Sequence, residues 1–123
     1  MAKNLLRVGI ISTEDYKNRT IAIAKGQYRL KPGEPKIWFE SLQSIAQVLS
    51  HENQKLLQII VDTQPDSLQA LAESTGRKLS NVSRTLRTMA RYGIVELTRN
   101  QRKVKPRVLA TEFQVEFGLM SSG

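Results

Sequence analysis

Between Ser67 and Leu97 the chain reads SLQALAESTGRKLSNVSRTLRTMARYGIVEL, and its apolar residues keep helical spacing twice. Leu68, Leu71 and Ala72 form one stripe, and Val82, Leu86 and Met89 form a second. Gly76 separates the two runs, at the left-handed position that commonly follows a helix. Ala72 offers a small residue where two helices cross closely. Val82 is the apolar anchor that packs the second helix back onto the first. Few folds accommodate two amphipathic helices joined so tightly, because each must find its buried face in the other. Asp66 or Ser67 is expected to cap the first, Ser80 the second, and Gly93 to close the pair.

The second of these helices has a charge pattern that an isolated surface helix would avoid. Residues 77–93 carry five basic side chains and no acidic one. Mixed signs three or four residues apart would stabilise the helix by about 0.2–0.5 kcal/mol per pair. The bias extends further: residues 76–107 hold ten Lys/Arg against Glu96 alone, a net of +9. The rest of the chain nets −1, so the whole excess of +8 lies in one contiguous segment. Segregation of this kind points to a polyanionic partner.

Outside this segment the patterns are simpler. Leu5–Ile11 reads as a short strand. Ser12 or Thr13 then caps a helix presenting Tyr16, Thr20 and Ile23 on one face and ending near Gly26. Residues 29–36, RLKPGEPK, form a linker with Pro32-Gly33 at the centre of a type II turn. Ile37-Trp38-Phe39 is an apolar patch of undetermined conformation. Leu42, Ile45, Ala46 and Leu49 make the stripe of a further helix. Ser50 caps another, with Leu56, Leu57 and Ile60 inward and Pro65 ending it. After Gly93, IVEL is a strand, TRNQRKVKP an exposed basic loop, and RVLATEFQVEF a second strand with Leu109, Phe113, Val115 and Phe117 on one face. Pro106 is expected to limit pairing where that strand starts.

Helix, short turn, helix, then two strands around a basic loop is the order of a winged helix-turn-helix. The expected class is mainly α with a small β component (α+β). Residues 1–36 form an N-terminal strand-helix extension and linker, a candidate dimerisation element, and residues 37–123 form the DNA-binding domain. Such a domain lays its second helix in the major groove. With Val82, Leu86 and Met89 inward, Asn81, Arg84, Thr88 and Arg91 take the outer face, with Arg87 beside them. Arg and Asn can read guanine and adenine by paired hydrogen bonds. Ser80, Ser83 and Thr88 suit phosphates that set register. Arg102, Lys103 and Lys105, in the loop 99–106, would reach the backbone or the adjacent minor groove.

The stretch LQALAESTGRKLSNVSRTLRTMARYGIVEL resembles the helix-turn-helix of prokaryotic winged-helix transcriptional regulators related to the MarR and ArsR types. The wider layout is similar to a family of small predicted bacterial and archaeal DNA-binding regulators. The resemblance implies a homodimer on a roughly palindromic duplex site, and repression more often than activation. It also implies an antitoxin-like autoregulator with a toxin partner as a second reading. By position it assigns DNA contact to Lys78, Ser80, Asn81, Ser83, Arg84 and Arg87, with Arg102 and Lys103 on the wing. Arg77 and Lys78 depart from the common pattern, which has an apolar residue there. Leu79 is expected to take over that packing role.

Several classes are set aside on composition. With no cysteine and one histidine, His51, no metal site or cofactor is expected. Serines without a histidine base argue against an enzyme. No apolar run approaches the roughly 18 residues of a membrane span. The start MAKNLLRVGII is interrupted by Arg7 and does not read as a secretory signal, so a cytoplasmic protein is expected. RNA binding is disfavoured because Tyr92 is the only aromatic in the basic segment.

Overall fold

A computed structural model describes residues 4–119. Helix accounts for 46% of the chain and strand for 22%, so the fold is α+β with helix dominant, as expected. Its elements run β1 (Leu5–Ile10), α1 (Thr13–Ala24), β2 (Ile37–Phe39), α2 (Leu42–Val48), α3 (His51–Thr63), α4 (Leu68–Thr75), α5 (Leu79–Arg91), β3 (Val95–Asn100), β4 (Lys103–Val108) and β5 (Glu112–Glu116).

Four of the five helices start on serine. Ser12, Ser41, Ser50 and Ser67 each accept a hydrogen bond from the backbone N–H three residues on, satisfying one of the orphan donors of the first turn. The fifth departs from expectation. Lys78, not Ser80, is the cap of α5, and no side chain bonds to its open N–H groups. Helical geometry begins at Leu79 because the Val82 N–H already reaches the Lys78 carbonyl at 3.1 Å. Gly76 ends α4 at φ +71°, where a side chain would be strained.

One cluster of buried residues joins α3, α4 and α5 to the start of β3. Leu71, Val82, Leu86 and Met89 are fully enclosed within it, with Leu56, Ile60, Ile94 and Val95 around them. Truncating the buried leucines, isoleucines or Met89 to alanine would cost about 2–5 kcal/mol each, so α5 is held firmly on its apolar side. A second, smaller cluster comprises Val8, Phe39 and Ile45. Leu6, Val48, Leu49 and Tyr92 pack against both. The Phe39 ring stacks on Tyr92 with centroids 4.0 Å apart and planes 15° from parallel. In the α2 stripe Ile45 is buried, while Leu42 and Ala46 are exposed and Val48 takes the inner position instead.

The two sheets correct the expected strand layout. β3 and β4 form an antiparallel hairpin from Val95↔Val108 to Asn100↔Lys103. Most of the expected basic loop is therefore paired strand. Pro106 sits inside β4 opposite Leu97, where it is buried. RVLATEFQVEF is not one strand. It breaks at Leu109–Thr111, where the Leu109 and Ala110 N–H groups donate to the Ile94 carbonyl and the Thr111 N–H to the Asn4 carbonyl. The chain thus leaves one sheet and enters the other, in which β5 runs parallel to β1.

That second sheet has the order β2-β1-β5 and is parallel throughout. Trp38 settles the conformation of the apolar patch: it lies in β2 beside Gly9, so close that any side chain at Gly9 would collide with the indole. α1 makes the crossover from β1 to β2, as a parallel pair requires. It buries none of its residues fully, and Tyr16 is 46% exposed, so the expected inner face is thin. Pro32-Gly33 form the expected turn, closed by the Glu34 N–H on the Lys31 carbonyl at 3.2 Å. Within residues 4–36, β1 is the middle strand of this sheet, and Val8 is a core residue.

Candidate nucleic-acid interface

The inner stripe of α5 is used up by Val82, Leu86 and Met89, and its charged residues are left to solvent. Lys78, Ser80, Asn81, Arg84, Arg87 and Arg91 are exposed, while Ser83 and Thr88 are half-buried. No ion pair forms at Lys78, Arg84, Arg87 or Arg91 among the described residues; the pairs present are Arg19–Glu34 at 3.5 Å and Arg107–Glu96 at 3.1 Å. Thr88 is partly committed within the helix. Its hydroxyl donates to the Arg84 carbonyl at 3.1 Å and accepts from Arg91 Nη2 at 3.5 Å. The second of these bonds is at the limit of a real one and leaves the Arg91 guanidinium free to turn outward. Arg77 is used differently, since its Nη2 donates to the Glu52 carbonyl at 3.0 Å and ties the turn to the start of α3.

The β3–β4 hairpin brings its tip beside the start of α5. A depression of about 480 Å³ lies between them and the first turn of α4, lined by Leu68, Leu79, Ser83, Arg102, Lys103 and Val104 among others. Arg102 and Lys103 therefore share a surface with Leu79 and Ser83 of α5. Lys105 does not line it. Register alternation places Lys105 with Lys103 and Arg107 on the hairpin face opposite Val104 and Pro106, which face the helices. Lys103 still reaches the depression because it sits at the turn.

The other flank of α5 has a smaller depression of about 380 Å³, bounded by Glu52, Asn53, Arg77, Lys78, Asn81 and Thr85. Thr85 escaped the sequence reading, although its spacing four residues after Asn81 places both on one flank. Leu79 also differs from expectation. It does not take over a packing role but is 43% exposed. One turn further into the helix, Val82 is wholly enclosed.

The chemistry available here is cationic and hydrogen-bonding. Among the described residues no group of three or more His, Cys, Asp or Glu could hold a metal ion. His51 is exposed in the first turn of α3. Among the same residues, no helix is long and apolar enough to cross a membrane.

No curated protein matches the chain. A family model described as HVO_A0114 matches residues 48–115, from the end of α2 into β5. That span contains every residue of the cationic surface and more than half of the 123 residues, so the chain belongs to the HVO_A0114 family.

Proposed function

We propose that this protein is a sequence-specific double-stranded DNA-binding regulator of transcription, a repressor by default, acting in the cytoplasm. α4, the turn at Gly76, α5 and the β3–β4 hairpin serve as a winged helix-turn-helix. The observation that carries this reading is the disposition of charge. The outer face of α5 displays Arg84 and Arg87, and the hairpin tip Arg102 and Lys103, none with an ion-pair partner among the described residues; Arg102 and Lys103 share a depression with Leu79 and Ser83 of α5. Unpaired guanidinium groups on a rigid helix are suited to phosphates and base edges, and would gain little from a neutral or cationic partner. α5 enters the major groove, with Asn81 and Arg84 reading bases and Lys78, Ser80, Ser83, Arg87 and Arg91 supporting them. The wing contacts the backbone. Tyr92 favours duplex over single-stranded RNA, because its ring is stacked on Phe39 and is not presented to a base.

The experiment is selection of binding sites from random duplexes, followed by Arg84→Ala and Asn81→Ala. Each variant should lose about 1–3 kcal/mol on the selected site, retain non-specific binding, and fold normally. Unchanged affinity in Arg84→Ala would remove the recognition role from α5.

A second reading rests on a different observation. On β5 Val115 is 44% exposed and Phe117, just beyond its end, 56%, an apolar strip suited to a protein partner. A second copy of the chain in a homodimer is the preferred occupant, and an antitoxin-like grip on a toxin is the alternative. Co-purification with the product of a neighbouring gene would support the latter.

A further inference from the structure

Leu79 is an apolar side chain in the wrong place for a core residue. It lies three residues before Val82 and seven before Leu86, on the same stripe of α5, yet those two are fully enclosed and Leu79 is 43% exposed. The core ends one turn before the helix does. An isolated exposed leucine is ordinary. This one lies in the depression where α5 begins, with Leu68 and Val104 as its apolar companions and Ser83, Arg102 and Lys103 alongside. Cations and a hydroxyl lie along the hairpin and α5 side of this apolar patch, and Gln69 and Glu73 along the α4 side, so it suits a partner that is anionic towards Arg102 and Lys103 and greasy at one point.

We propose that Leu79 is a specificity residue that recognises the 5-methyl group of a thymine in the major groove. The proposal rests on the duplex-binding reading above. Of the groups that base pairs display on that groove edge, the thymine methyl alone is apolar. The depression opens beside the first turn of α5, the part of a recognition helix closest to base edges. Arg102 and Lys103 hold the flanking phosphates while Leu79 covers the methyl. Leu79 thereby favours thymine at one position of each half-site, without a hydrogen bond.

The test uses the full chain and the duplex it selects. Each thymine of the site is replaced singly by deoxyuridine, which removes the methyl and nothing else. The expected result is a loss of about fourfold at one thymine per half-site, the worth of one buried methyl-sized group. Leu79→Ala should lose about fourfold on the thymine duplex and show no further loss with uracil at that position. Equal loss on both duplexes would mean that Leu79 touches sugar or only supports the helix, and would overturn the proposal. Indifference of the unaltered protein to every uracil would also overturn it, and needs no variant at all. In both cases specific binding would remain, so the regulator reading would stand. Failure to select any duplex would instead bring down both.

Discussion

Glu34 gathers three donors around one carboxylate: the Tyr28 phenol, the Lys31 N–H at 2.7 Å and the Arg19 guanidinium at 3.5 Å. Arg19 in turn lies over the Tyr28 and Trp38 rings, 5.6 and 5.0 Å from their centroids, so one small cluster fastens the linker to α1 and β2. The phenol hydrogen bond, then the Lys31 N–H, hold the Glu34 carboxyl below its ordinary value of 4.5. A carboxyl lowered on folding contributes stability that is complete above its unfolded value and is lost as pH falls through the folded one. The Glu34 bond likewise raises the Tyr28 phenol above 10.0, so its contribution is complete below that value and lost at still higher pH. Glu34→Gln should therefore melt lower than the unaltered protein at about pH 7, with the gap closing towards about pH 3. Melting followed by circular dichroism across that range checks it; a gap independent of pH would mean that the charge does not matter. None of this cluster was legible in the sequence. RLKPGEPK announces a turn, but which carboxylate meets which phenol depends on where the linker folds back.

The hairpin is the element whose role the sequence described least well. Basic residues spread over 99–106 read as one loop, whereas pairing puts them on two faces and keeps only Arg102 and Lys103 at the shared depression. Arg102→Ala should weaken binding to all duplexes about equally, because a phosphate contact carries no base information. If about six phosphates are contacted per protomer, the log–log salt slope lies near −5, and the variant should flatten it by about 1. Lys105→Ala should change the slope less. Titration of fluorescent duplexes at several salt concentrations measures both, and a larger effect at Lys105 would place DNA on the hairpin's other face. The helices were far more legible. Ser67 and Gly76 bracket α4 through local contacts, as foreseen, and Val82, Leu86 and Met89 are buried at the foreseen spacing. The Ser80 cap failed because the turn after Gly76 is one residue pair shorter than that cap requires.

For the molecule as a whole, the parallel sheet poses the outstanding physical question. Such sheets are ordinarily covered on both faces. Here β5 is an edge strand with only Phe113 partly buried, and the neighbouring apolar positions Val115 and Phe117 remain open. A two-fold dimer closing over this strip would cover it, and would present two copies of α5 to a two-fold symmetric duplex site. Light scattering at micromolar concentration should give twice the monomer mass, and Val115→Ser with Phe117→Ser should return it to one; a monomer throughout would rule the arrangement out. The pattern of residues along the chain was sufficient to set the helices, their ends and the segregation of positive charge, because spacings of three and four residues and single turn residues act locally. It could not say that β1 would lie between β2 and β5, which brings Asn4 to Thr111 across 107 positions. Nor could it say that one apparent strand would divide between two sheets, or that Leu79 would fall outside the core. Strand partners and the edge of a core are settled by competition among distant segments for the same buried surface, and only the folded chain resolves that competition.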